Sequence, residues 1–90
     1  MNKSVKLNSL FNEFYLSKSK ETALQNSKEI IKFIEEIHFK EMDELSANMS
    51  RKMYQNNFND YLDNFESEKN PFLSTVDTIR QILSFHYRFD

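Results

Sequence analysis

Glu35 and His38 stand three residues apart, and Glu41 follows three residues later. On a helix this spacing turns the three side chains toward one side. A Glu-x-x-His pair is part of what a carboxylate di-metal bundle uses. The full site needs a second such pair and two more inward glutamates. The only other histidine, His86, has Leu83 at the matching position. The chain has no cysteine, so thiolate ligation and disulfides are excluded. Glu35 and His38 therefore read as a solvated helix edge, and neither a metal nor any other cofactor is expected.

Nucleophilic catalysis finds no better footing. Serines are numerous, but glycine is absent altogether. A strained nucleophile elbow, a phosphate-cradling loop and a dinucleotide fingerprint each need glycine, because backbone must approach closely or turn through positive φ. His86, Tyr87 and Arg88 are adjacent near the end of the chain and read as a half-buried aromatic helix end. No nucleophile, base and oxyanion donors can be named together. The expectation is a protein that is not an enzyme.

The remaining constellation is acidic. Asp60, Asp63 and Glu66 recur at intervals of three, which on a helix makes a slowly turning row. Asn64 lies close to that row, and Tyr61 flanks it with a hydroxyl at the edge. Carboxylates so spaced roughly imitate phosphates along a nucleic-acid groove, and their field speeds encounter with a basic partner. Asp60, Tyr61, Asp63, Asn64 and Glu66 are the candidate partner-binding residues. The plain alternative is a solvated helix face.

The uneven charge along the chain serves solubility first, or else attracts a basic partner. Net charge is −2, but residues 1–34 carry six lysines against three glutamates, while residues 35–68 carry nine acids against three bases. An acidic middle disfavours general binding to nucleic acid or to anionic membranes. A helix-turn-helix in the basic first third would use Ser19–Lys32 as its recognition helix. That stretch has no arginine, which makes the commonest specific base contact. Nucleic acid is therefore an unfavoured partner. No apolar run approaches the ~20 residues that cross a bilayer. The start is a poor signal peptide, and a cytoplasmic location is expected.

The elements that must position these residues follow from periodicity. Ninety residues suit one domain, 1–90. Leu7, Leu10, Phe11 and Phe14 form a helical stripe that predicts a helix over about 4–17 with Ser4 as its cap. Ser19 caps a second helix, with Leu24, Ile30, Ile31, Ile34 and Ile37 inward, ending between 38 and 40. Met42, Leu45, Met49 and Met53 lead into Tyr54, Phe58, Tyr61, Leu62 and Phe65. Residues 41–67 are then one long helix, or two broken at Asn56-Asn57. Asn70 as cap and Pro71 as first residue open a last helix, and Ser74 to Asp77 offers a second start as a capping box. Its core stripe is Phe72, Val76, Ile79 and Leu83.

The fold class predicted is all-α, a compact bundle of three to five helices with no β-sheet. Nine Phe and four Tyr crowd so short a chain. Phe33, Phe39, Tyr87 and Phe89 fall off the best stripes, so some aromatic surface is expected to stay exposed for a partner. The abundance of Asn, Lys, Ile and Phe beside so little Gly and Pro points to an A+T-rich coding genome, as in low-GC bacteria and their phages. In general character the chain resembles phage-encoded inhibitors, bacteriocin immunity proteins and secretion chaperones, which implies action by binding another protein. The leading expectation is an inhibitor or regulator that occludes a partner's basic surface. The alternatives are a helical adaptor or obligate oligomer subunit, for which self-association is expected, and a small DNA-binding regulator.

Overall fold

The computed structural model of the chain describes residues 2–89. Four α-helices run in the order α1 (Lys3–Tyr15), α2 (Lys20–Ile37), α3 (Glu44–Asp63) and α4 (Leu73–His86), with a 3-10 turn, Phe39–Glu41, between α2 and α3. No strand occurs among the described residues. The helix α1 packs on α2 and α4, and α3 packs on α2, the 3-10 turn and α4. None of these helices is long and apolar enough to cross a membrane.

Each start has a chemical cause. Asn2, not Ser4, caps α1, its side-chain oxygen accepting from the Ser4 and Val5 amides. Ser4 lies inside the helix, buried, with its hydroxyl 2.7 Å from that of Ser84. Ser19 caps α2 through the Thr22 amide as its position predicts. Asp43 caps α3 by accepting from the Ser46 amide at 2.8 Å. The helix α3 runs unbroken through Asn56-Asn57. Two weak helix formers cost only tenths of a kcal/mol each, less than the burial of Phe58 and Leu62 just beyond them returns.

The last helix begins at Leu73, later than Asn70-Pro71 suggests. Asn70 has a different task. Its two amide hydrogens go to the carbonyls of Tyr61 and Asn64 at 2.8 and 3.0 Å, and its oxygen accepts from the Phe72 amide at 3.0 Å. One side chain thus closes the end of α3 and orders the approach to α4. Asp77 does not complete a capping box; it binds Arg80 and Tyr15 instead.

The core is one cluster built on aromatic contacts. Phe14 meets Phe58 edge-on at 5.3 Å and Tyr61 at 5.0 Å, and Phe11 meets Phe58 at 5.9 Å. Three of the four aromatics that fall off the stripes are in fact buried: Phe33, Phe39 and Tyr87. Phe39 stacks on Tyr54 at 5.4 Å from the 3-10 turn, and Tyr87 lies just past α4. The turns carrying Phe39 and Tyr87 aim side chains inward at angles that no helical stripe describes, whereas Phe33 is buried from within α2. Only Phe89 of the four is exposed.

Because Asn70 supplies two donors and one acceptor, Asn70→Ala is expected to lower the free energy of urea unfolding by about 1–3 kcal/mol. Asn70→Asp is expected to cost more, since a carboxylate then faces two carbonyl oxygens. Equal stability of wild type and both variants would show that the clamp is idle.

Candidate protein-binding surface

The helix α3 has two opposed apolar faces. Ala47, Phe58 and Leu62 are buried in the core, with Tyr54, Tyr61 and Phe65 packed beside them. At about 100° per residue, Leu45, Met49 and Met53 fall on the opposite side, roughly 180° away. They are exposed at 70%, 65% and 51%. Their expected place in the core stripe is therefore corrected. Large aromatic rings bury more apolar area than Leu and Met side chains, so the aromatic face wins the interior. Asn56, Asp60 and Asp63 continue the outward face toward the end of the helix.

Among the candidate residues, Asp60 and Asp63 occupy the last helical turn and are exposed. Glu66 is exposed too, but it sits in the turn beyond α3, so the row does not continue helically. Asn64 ends the helix, and its amide donates to the Asp60 carbonyl at 2.9 Å. Tyr61 is half-buried against Phe14 and Phe65, and burial holds its hydroxyl above the usual tyrosine range. Tyr61 and Asn64 thus serve the fold, and the carboxylates alone face outward as a group. Among the described residues the ion pairs are Arg51 with Glu35 and Arg80 with Asp77. Asp60, Asp63 and Glu66 belong to neither. The last turn of α3 carries no base, so two carboxylates stand at the negative end of the helix dipole.

Glu35 and His38 are not a solvated pair. Glu35 accepts from the Arg51 guanidinium, which also lies 5.7 Å from the Phe39 ring. His38 turns the other way, with Nδ1 2.7 Å from the Tyr87 hydroxyl. That hydroxyl donates its single proton to the Ile37 carbonyl at 2.8 Å, so Nδ1–H of His38 donates to Tyr87. Glu41 is exposed. Among the described residues, no three His, Asp or Glu side chains are grouped to hold a metal.

A second polar cluster joins α1 to α4. The Tyr15 hydroxyl donates to Asp77 at 2.6 Å, and Arg80 donates to Asp77 and to the Asn8 side chain. Asn8 also donates to Ser84. The Arg80 guanidinium holds the Asp77 carboxyl well below the usual range, against the opposing pull of burial. Burial and the Asp77 carboxylate hold the Tyr15 hydroxyl well above its usual range. Asn8, Tyr15, Asp77 and Arg80 line an open groove of about 630 Å³ with Val5, Ser9 and Asn12. They bond mainly to one another, which suits a seam between helices better than a ligand site.

His38 yields a pH dependence whose sign follows from its surroundings. Burial and the neighbouring His86 hold its imidazole below the ordinary value, while Glu41 opposes them. The unfolded chain then takes up this proton first. The contribution is complete above about pH 6.5 and is lost as pH falls through that value toward the lowered folded one. Thermal unfolding between pH 8 and 5 is expected to show falling stability. His38→Ala is expected to flatten that slope and to cost on the order of 1 kcal/mol at pH 8. An unchanged slope in the variant would remove His38 as its source.

None of the family models, curated proteins and solved structures compared with the chain matches it.

Proposed function

We propose that the chain is a small non-enzymatic protein-binding module, an inhibitor or regulator that occludes the basic functional surface of another protein. The observation that carries this reading is the end of α3, where Asp60 and Asp63 lie in solvent without a cationic partner among the described residues. Each carboxylate at the negative pole of a helix costs about 0.3–1 kcal/mol, and Glu66 adds to the same field. A basic partner surface relieves that repulsion on binding, so the unfavourable arrangement in the free protein becomes affinity. The activity needs no cofactor. The composition suits a bacterial or phage cytoplasm, the setting of phage- or plasmid-type inhibitors and immunity proteins.

A second reading, a helical adaptor or oligomer subunit, is favoured by one observation. Ile82, Phe85 and Phe89 are largely exposed at the far end of the chain, with Arg88 lying over both rings at 4.2 and 4.6 Å. Burial of these residues between copies would show as a concentration-dependent mass in sedimentation.

Charge reversal tests the first reading. Asp60→Lys with Asp63→Lys is expected to change unfolding free energy by no more than ~0.5 kcal/mol, because both side chains are exposed. Immobilised wild type is expected to retain a partner from an extract of the source organism, in a salt-dependent way. The double variant is expected to bind that partner at least about tenfold more weakly, a loss of ~1.4 kcal/mol. Equal affinity of the two proteins for the retained partner would sink the proposal.

A further inference from the structure

The outward face of α3 is more than its carboxylates. Leu45, Met49 and Met53 make an exposed apolar strip of about 12 Å, and Asp60 lies about 10 Å further along the same face. A shallow depression of about 410 Å³, lined by Met49, Lys52, Met53, Asn56 and Asn57, lies between the two. Glu41, Asp43 and Glu44 before and at the start of α3 are exposed as well, but Asp43 binds Ser46 and, with Glu44, lies roughly 120–140° around the helix from the strip. Methionine adapts its shape to what lies against it, and a strip of this spacing matches the ridge of one facing helix. The geometry points to a cationic amphipathic helix of a partner protein as the occupant of this face, with its apolar ridge on Leu45, Met49 and Met53 and its lysines or arginines over Asp60 and Asp63. This inference rests on the protein-binding reading above and names the partner's form.

Charge selects that occupant over a second copy of α3. Residues 41–68 carry seven exposed carboxylates, Glu41, Asp43, Glu44, Asp60, Asp63, Glu66 and Glu68. Two bases share this span: Arg51, engaged with Glu35, and Lys52, exposed beside Met49 and Met53 and outnumbered by the carboxylates. Antiparallel pairing of two copies brings two spans of the same acidic sign together. Parallel pairing sets each carboxylate beside its own image. Both juxtapose like charges, which disfavours self-pairing through this face. The same charges repel an anionic lipid surface. A helix with an apolar ridge and a basic end meets neither obstacle.

The test uses a synthetic helical peptide of about 18 residues, with leucines on one face and lysines elsewhere, since that length covers the face from Leu45 to Asp63. A control peptide of the same composition has its leucines spread around all faces. The intact chain is expected to bind the amphipathic peptide one to one, and at least about tenfold more tightly than the control, by calorimetry. Met49→Glu with Met53→Glu is expected to abolish that preference while leaving the helical circular dichroism intact, because both positions are exposed. Asp60→Lys with Asp63→Lys is expected to weaken both peptides. No binding of the amphipathic peptide, or equal binding of the two peptides unaffected at Met49 and Met53, would overturn the helix inference. If the carboxylate pair still mattered in that case, the acidic-surface function would stand. If only the methionines mattered, the acidic reading would fall, and the cationic partner with it. A dimer of the wild type that the methionine variant loses would assign the face to a second copy and also overturn the inference.

Discussion

A chain without glycine has no inexpensive way to end a helix. The usual exit passes through a left-handed residue, and no described residue here has positive φ. The exposed carbonyls at each helix end must then be met by side chains or by tightened turns. The exit from α2 tightens into the 3-10 turn, where the Met42 amide reaches the Phe39 carbonyl at 3.0 Å. Tyr87, just past α4, adds a donor to the Ile37 carbonyl. At α3 the task falls to Asn70. Asn64 and Asn70 thus act here through their side-chain amides, not through left-handed backbone. Without the left-handed exit, the connections after α2 and α3 rest on a tightened turn and on the side chains of Tyr87 and Asn70.

The acidic end of α3 owes its placement to this constraint. Asn70 holds the Tyr61 and Asn64 carbonyls, so the last turn is tied down beneath Asp60 and Asp63. Phe14 anchors the same turn from within by packing on Tyr61. The seam between α1 and α4 then sets how α4 lies, through contacts as specific as the Tyr15 hydroxyl on Asp77 and Ser4 on Ser84. Buried side-chain polar atoms among the described residues all find partners, so this seam fixes alignment without leaving a group unsatisfied.

What could be read in advance was local. The all-α class, the Ser19 cap and a boundary near Pro71 follow from residues within a turn of one another. What could not be read depends on distant partners. Ser4 looks like a cap until Ser84, eighty positions away, is known to face it. Asp77 looks like part of a capping box until Tyr15 and Arg80 claim it. Periodicity alone places Leu45, Met49 and Met53 inside, because α3 offers two stripes and only the neighbouring helices choose between them. The weight of aromatic residues on the other stripe was the available signal. The candidate site was legible in its charges, since carboxylates without cations nearby in sequence stay in water. Its apolar half was hidden by the same ambiguity of stripe, and the structural duties of Tyr61 and Asn64 appear only once α1 and Asn70 are in place.

The division of α3 into two faces has an evolutionary consequence. Residues that touch Phe14 or Phe11 are bound by the volume of the core, where even one methylene is felt. Leu45, Met49, Met53, Asp60 and Asp63 are under no such restriction, since the fold needs none of their side chains inside. Substitutions can accumulate on that face almost free of the stability threshold that purges changes elsewhere. A lineage can therefore retune what this helix presents, position by position, while the aromatic interior and the asparagine clamp stay as they are.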